Sequence, residues 1–247
     1  MMDWCSAVAG RSEVLMKSFS FSQPLVALLI VFALAFAPVR AAASEIDSRL
    51  ERAGEVFTEL VSTPDRSVPN ELLISARCIA VIPAVVKVAW FLGGRFGRGA
   101  ITCRGEGGEW SPPVLLTLGG GSIGFQLGAS STDVVLFFMK ERGARSLLRS
   151  KFKLGADAAV AAGPVGRSAE ASTDLALNAE IYSYARSRGF FAGISLDGAW
   201  LAADGEGMAS YYGVRTDAAA VLFTPGAVTA PRSAWELLKA LPGASQF

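Results

Sequence analysis

Residues 78–104 read CIAVIPAVVKVAWFLGGRFGRGAITCR, and this stretch decides the fold. Runs rich in valine and isoleucine, at residues 78–82, 85–92 and 100–104, are separated by Pro83 and by a cluster of glycines. Short runs of this composition between turn-forming residues are typical of β-strands. The stretch therefore predicts three strands joined by tight connections.

The same texture continues to Met139, with further runs at residues 114–118, 123–127 and 134–138. Glycine also recurs along the runs, at Gly124 and Gly128, which indicates bends, bulges or close backbone contact in a curved sheet. We predict an α+β protein in which a curved antiparallel β-sheet or barrel-like meander is flanked by N-terminal and C-terminal helices.

A helix is predicted before the sheet, over residues 45–62. Its apolar residues recur at alternating spacings of four and three, which is the stripe of an amphipathic helix. The stripe consists of Ile46, Leu50, Ala53, Phe57 and Leu60. Pro64 ends this helix, and a second short helix starts near Pro69, because proline suits the first helical turn.

The C-terminal part contains four further predicted elements. They are a strand at residues 181–185, a hairpin over residues 190–201 that turns at Asp197-Gly198, a short helix around Met208 and a final helix over residues 232–240.

The N-terminus has the pattern of an export signal. Residues 24–37 form an uncharged apolar run that follows Lys17 and precedes the small residues Ala41-Ala42-Ala43. A run of this length is short for a membrane span, which takes about 20 residues; a retained N-terminal anchor is the alternative. We expect an exported protein of the periplasm or cell envelope, with Met16 as its true start.

These boundaries divide the chain into three segments. We expect residues 1–43 to be the signal peptide, residues 44–68 to form the N-terminal amphipathic helix, and residues 69–247 to form the main domain. Cys78 and Cys103 are the cysteines beyond residue 43. An even pair in an oxidising compartment favours a disulfide, and two buried free thiols are the alternative.

Composition argues against several classes of function. The chain has no histidine, which is the commonest general base and the commonest metal ligand. The formal net charge of +1 provides no overall attraction for nucleic acid. We therefore expect no catalytic residue, no metal, no cofactor and no nucleic-acid partner.

One glycine-rich segment fits two catalytic patterns. Residues 120–124 match Gly-x-Ser-x-Gly, and residues 119–124 match Gly-x-Gly-x-x-Gly. The first pattern needs a base, normally histidine, and the second needs a helix to open at this point. The segment is therefore interpreted as a glycine-rich turn between strands.

Positive charge is concentrated in residues 140–153, which carry six basic groups and one acidic group. Such a segment is either a solvated helix face or a surface that binds phospholipid headgroups.

Seven blocks of the sequence resemble the SYLF domain family, in order and spacing, over residues 69–225. The blocks are Ala76–Pro83, Gly93–Gly99, Trp110–Pro113, Gly119–Gly128, Leu154–Asp157 with Ala162–Arg167, Tyr184–Gly198 and Tyr211–Gly213. The resemblance implies a lipid-binding module without enzymatic activity, with phosphoinositide and membrane binding in eukaryotic members and actin binding in fungal relatives.

One departure from the family limits what carries over. Membrane contact in eukaryotic members is attributed partly to a basic N-terminal segment, whereas residues 45–59 here hold five acidic and two basic side chains. Anionic headgroups would be repelled there. An exported protein would also not meet actin or abundant phosphoinositides, so the lipid class stays open.

We expect the curved sheet to bind phospholipid at a membrane surface, with basic groups that attract phosphate and apolar groups that enter the acyl boundary. The alternative is a structural or interaction module of the envelope that binds a protein partner. The expected lipid-binding residues are Arg95, Arg98, Arg142, Arg145, Arg149, Lys151, Lys153, Phe96 and Phe152.

Overall fold

The computed structural model describes residues 45–62, 68–89, 92–123, 128–149, 151–164, 179–187, 190–196 and 198–243. These residues all belong to one compact unit, residues 41–247. The predicted signal peptide, residues 1–43, lies outside the described residues and stays a prediction.

The described strands form one nine-stranded sheet. They are β1 (Cys78–Ala89), β2 (Leu92–Cys103), β3 (Val114–Ile123), β4 (Gly128–Phe138), β5 (Phe152–Lys153), β6 (Val160–Ala162), β7 (Ile181–Ser187), β8 (Phe190–Gly193) and β9 (Ala199–Ala203). The described helices are α1 (residues 45–62), α2 (Asn70–Ser75), α3 (Glu141–Arg149), α4 (Gly205–Tyr212), α5 (Ala218–Phe223) and α6 (Ala234–Ala240). Across the described ranges, no helix combines the length and the apolar character that crossing a membrane requires.

The strand order is β5-β9-β3-β2-β1-β4-β7-β6, and β8 pairs with β7. Strands β1 to β3 follow one another, whereas β4 returns to lie beside β1, which is the Greek-key order. Strand β6 runs parallel to β7, so the sheet is mixed. The predicted α+β class is confirmed, with a strongly curled half-barrel sheet and helices at both ends.

The predicted hairpin over residues 190–201 is wrong. Strand β8 pairs with the preceding strand β7, and β9 pairs with β3 and β5. The bend at Gly198 does exist, since its φ is 77°. After this bend the chain continues into β9, which lies between β3 and β5 rather than beside β8. The apolar side chain of Leu201 in β9 is buried there.

Helix α1 belongs to the same core as the sheet. All five residues of its predicted stripe are buried. The ring centroid of Phe57 lies 6.2 Å from that of Phe137 in β4. At Gly54 the helix contacts α6 so closely that an added Cβ atom would lie 2.6 Å from the carbonyl oxygen of Glu236. The second short helix begins directly after Pro69, as predicted.

A β-bulge in β1 explains the glycines of β2. Val81 pairs with Ala100 but Val86 pairs with Phe96, so β1 contains one residue more than β2 over this interval. The extra length falls at Ala84, whose φ is 50°. A Cβ atom at Gly99 would lie 2.7 Å from Cα of Ile82, so glycine is needed where β2 passes the bulge.

The predicted disulfide is present between Cys78 and Cys103. The two residues are direct partners in the β1–β2 ladder, with a Cα–Cα distance of 4.0 Å, and both are buried. The bond therefore joins the two central strands at one end.

Candidate functional site

A single row of paired residues crosses six strands. Directly paired residues of neighbouring strands project to the same face of a sheet. In order from β5 to β4, the row is Lys153, Trp200, Gly119, Phe96, Val86 and Ser131. These residues lie on one face as a continuous strip.

Large apolar side chains in and beside this row are exposed. Phe96 is 51 % exposed and Val86 is 46 % exposed. Val88, two residues further along β1 and therefore on the same face, is 55 % exposed. The indole ring of Trp200 lies over the backbone of Gly119, next to Phe96 in the row. An exposed apolar cluster of this kind is typical of an interaction site.

Cations border the apolar side chains. The Lys151 Nζ atom lies 5.0 Å from the centroid of the Trp200 ring. The Arg98 guanidinium carbon lies 5.8 Å from the Phe96 ring centroid. Both lysines of the β5 region, Lys151 and Lys153, are exposed. We call the following residues the sheet patch: Val86, Val88, Phe96, Arg98, Lys151, Lys153 and Trp200.

The first turn of α1 forms one border of the sheet patch. The Arg98 Nη1 atom lies 3.4 Å from the Glu45 Oε1 atom, and the same oxygen lies 2.9 Å from Arg49 Nη2. Arg98 and Glu45 are both substantially exposed, and exposed ion pairs contribute about 0–1 kcal/mol. The pair therefore does not prevent Arg98 from meeting a headgroup.

Two predicted site residues lie on the other face of the sheet. Phe152 is 1 % exposed and pairs with Leu201, so it belongs to the core and does not reach a membrane. Successive side chains of a strand project to opposite faces of the sheet. The sequence prediction placed Phe152 and Lys153 on the same surface and was therefore wrong for Phe152. Arg95 projects to the same side as Phe152, where it pairs with Lys87.

The basic segment divides into two parts. Arg142 forms an ion pair with Glu180, and the Arg145 Nε atom donates a 2.6 Å hydrogen bond to Glu141. These arginines lie in α3 and have no part in the paired row, whereas Lys151 and Lys153 follow the helix and join the patch. The side chain of Arg149 lies outside the described residues. Four of the nine predicted residues therefore come together: Phe96, Arg98, Lys151 and Lys153.

Sequence reasoning missed Val86, Val88 and Trp200. The alternation Val86-Lys87-Val88 indicates that both valines share a face, but not which face is exposed. The bulge at Ala84 adds a residue before them, and so their face follows only from the register.

The curled α+β fold and its exposed apolar and basic patch define a binding module. The family model Ysc84, described as "Las17-binding protein actin regulator", matches residues 119–244. The chain belongs to this family, which is the SYLF family that its sequence resembles. The family is a binding or regulatory module rather than an enzyme.

Curated relatives agree with the family. SH3 domain-containing YSC84-like protein 1 from Xenopus laevis is 31 % identical over 204 residues, which are 80 % of this chain and 60 % of that protein. The Bos taurus protein is likewise 31 % identical over 204 residues, which are 80 % of this chain and 59 % of the relative. Protein YSC84 from Saccharomyces cerevisiae is 30 % identical over 204 residues, which are 79 % of this chain and 43 % of the relative. The chain therefore spans about two fifths to three fifths of the length of these relatives.

Proposed function

We propose that the protein binds phospholipid at a membrane surface through the sheet patch. The observation that carries the proposal is the row in which exposed Phe96 and Val86 are neighbours, with Arg98 two residues from Phe96 in β2 and Lys153 of β5 at the end of the row. Apolar side chains enter the acyl boundary of a bilayer, while adjacent cations meet phosphate.

Apolar contact and charge should contribute comparable free energies to membrane binding. Each cation near an anionic surface is worth about 1 kcal/mol, so the three cations of the patch supply roughly 3 kcal/mol. Fully burying a Val or Phe side chain gives about 1.5–3 kcal/mol, and those of the patch are about half-exposed. Exposed Glu51 and Glu55 on α1 oppose an anionic surface. Binding should therefore weaken with salt without disappearing.

We also propose that the protein acts outside the cytoplasm, in the periplasm or cell envelope. The apolar run at residues 24–37 and the small residues that follow it support export. The Cys78–Cys103 disulfide supports an oxidising compartment.

Vesicle co-sedimentation tests the lipid proposal. Residues 44–247 would be pelleted with neutral and with anionic phospholipid vesicles at low and high salt. We expect stronger pelleting on anionic than on neutral vesicles at low salt, and a reduced but measurable pelleted fraction at high salt. Replacing Arg98, Lys151 and Lys153 together by Gln should lower the affinity for anionic vesicles at least fivefold. The matched control also removes three positive charges, by replacing Arg142, Arg215 and Arg232, which lie outside the patch, with Gln. Equal losses in both variants would contradict a role for the patch.

A second candidate function is binding to a protein of the actin cytoskeleton. The description of the family favours it, because that description names Las17 binding and actin regulation. Co-sedimentation of residues 44–247 with filamentous actin tests this candidate. Saturable pelleting with actin, together with no pelleting on vesicles, would place the protein-binding function first.

A further inference from the structure

A cavity of about 420 Å³ lies at the other end of β1 from the sheet patch. It is half open to solvent and is lined by Arg77, the turn between β2 and β3, the first half of α3 and the end of α5. Its volume falls within the range of small-molecule sites, which is about 300–1,000 Å³. The residues that matter for the argument are Arg77, Arg104, Trp110, Arg145 and Phe223.

Arg104 is held rigidly in the cavity wall. Its Nη1 atom donates to the carbonyl oxygen of Ile74 at 3.2 Å, and its Nη2 atom donates to that of Pro242 at 3.1 Å. Its guanidinium lies 4.7 Å from the ring centroid of Trp110, whose Nε1 also donates to Pro242 O at 3.0 Å. A guanidinium fixed in this way loses little conformational entropy when it binds a ligand.

Arg77 places a second positive charge beside Arg104. The backbone N–H of Arg104 donates to the carbonyl oxygen of Arg77 at 2.7 Å, so the two residues continue the β1–β2 ladder beyond the disulfide. Burial, and in addition the charge of Arg77, lower the pKa of Arg104. An anion between two guanidiniums relieves such repulsion.

The carboxylates that line the cavity do not pair with the two arginines. Among the described residues, Glu141 is committed to Arg145, and no carboxylate forms an ion pair with Arg77 or Arg104. Glu106 and Glu109 are exposed on the turn and make the cavity neutral overall, so they reduce its attraction for an anion.

The opposite wall is aromatic. The guanidinium of Arg145 lies 4.0 Å from the ring centroid of Phe223, and the neighbouring residues Val221 and Leu222 are buried apolar residues that also line the cavity. The partly exposed ring of Phe223 suits contact with a flat or aliphatic group.

We propose that this cavity binds a small organic anion from solution. Its carboxylate or phosphate group is bound by the guanidinium fork of Arg77 and is attracted by the charge of Arg104, whose two Nη atoms already donate to backbone carbonyl groups. Its apolar part packs against the partly exposed Phe223, close to the edge of Trp110. Ten residues of β1 lie between Arg77 and Val88, and the eleven steps from one to the other are roughly 36 Å of extended chain. The cavity therefore stays open to solution while the sheet patch contacts lipid, and it does not depend on that function.

The test is an NMR titration of the protein with phenyl phosphate and with phenylacetate, with benzyl alcohol as the uncharged control. We expect saturable shifts at Trp110 with both anions, and none with benzyl alcohol. Arg77→Gln should weaken binding at least fivefold, and the surface control Arg215→Gln should not. Glu106→Gln with Glu109→Gln should tighten binding. No saturable shift with either anion, or equal binding by Arg77→Gln, would overturn the proposal.

A second arm separates a soluble anion from a lipid headgroup. The Arg77→Gln variant would be pelleted with vesicles that contain phosphatidic acid, beside the variant in which Arg98, Lys151 and Lys153 are Gln. Unchanged pelleting of Arg77→Gln supports a soluble ligand, whatever the patch variant does. Reduced pelleting of Arg77→Gln would show that the anion is a headgroup and would overturn the assignment to a soluble molecule.

Discussion

The indole ring of Trp200 lies over the bare backbone of Gly119, its direct partner in the β3–β9 ladder. A Cβ atom at position 119 would overlap the ring atoms Cζ2 and Cε2. Glycine here thus allows a large aromatic side chain to lie flat on the sheet, beside Phe96 and under Lys151.

Gly119→Ala should displace the Trp200 ring. Overpacking of this kind costs about 1–3 kcal/mol, so we expect a lower urea midpoint and weaker vesicle binding. Gly121→Ala is the matched control, because its added Cβ would meet nothing closer than 4.0 Å. Equal urea midpoints for the two variants would contradict the packing described for Trp200.

Ala84→Gly should stabilise the protein. Ala84 has a φ of 50°, a left-handed conformation that costs an L-residue with a Cβ atom about 1–2 kcal/mol. Its N–H donates to Asp133 Oδ1 at 2.9 Å, and this bond is kept in the variant. Relief of this conformation should gain about 1–2 kcal/mol, and the extra conformational entropy that glycine loses on folding should cost about 0.5–1 kcal/mol. We therefore expect the free energy of unfolding to rise by about 0.5–1 kcal/mol. A decrease in a urea titration would show that the bulge is not strained at this residue.

Asp133 holds the bulge to the neighbouring elements. Besides the Ala84 N–H, its carboxylate accepts a 2.9 Å hydrogen bond from Arg186 Nε, and Arg186 also pairs with Glu59 of α1. Asp133→Ala leaves the Ala84 N–H and the Arg186 charge without this partner, which should cost about 2–4 kcal/mol. Thermal unfolding measures the loss. Asp157→Ala, which removes an exposed carboxylate from a turn, is the control and should cost clearly less.

Stability should fall at alkaline pH because of buried tyrosines. Burial raises the pKa of Tyr211 to about 12 and raises the pKa of Tyr184 and Tyr212 from the ordinary value of 10. The unfolded chain releases these protons first, so the stabilisation is complete below pH 10 and is lost as the pH rises toward 12 and above. Urea midpoints at pH 8, 10 and 11 measure the effect.

Tyr212→Phe isolates one of these groups. The variant loses the 2.7 Å hydrogen bond from the Tyr212 hydroxyl to the carbonyl oxygen of Pro113, so it should be less stable by about 1 kcal/mol at pH 8. Its decline between pH 10 and pH 11 should be smaller than that of the wild type. An identical decline in both proteins would assign the alkaline effect to other groups.

Local patterns predicted the elements whose signal is contained in their own residues. The stripe from Ile46 to Leu60 predicted α1. The valine-rich runs marked the strand regions but not their number, because residues 78–82 and 85–92 form one strand, β1, with its bulge at Ala84. The glycines at residues 93–99 and 119–121 were expected to separate strands, but they lie inside β2 and β3, where the two segments pair with each other across the ladder. The disulfide pairing followed from two cysteines and the expected compartment. Each of these inferences needs no knowledge of which elements are neighbours.

The errors concern partners and faces, which depend on the register. The pattern at residues 190–201 indicates two strands but not that β8 pairs back onto β7. The cluster of charges at residues 140–153 appears continuous in sequence, yet the end of α3 separates Arg145 from Lys153. Phe152 was expected at the surface because its neighbours are basic, although a strand sends adjacent residues to opposite faces.

The most direct test of the account places a reporter in the sheet patch. In residues 44–247 the cysteines are Cys78 and Cys103, which are disulfide-bonded, so an introduced cysteine can be labelled with a polarity-sensitive fluorophore. Val88→Cys puts the label in the patch, and Val214→Cys, with the same exposed fraction of 55 %, puts it after α4. With phospholipid vesicles, the account predicts a blue shift and quenching by lipid-borne quenchers for the label at position 88 and neither for that at position 214. Vesicle-bound protein whose label at position 88 stays in water would contradict the account.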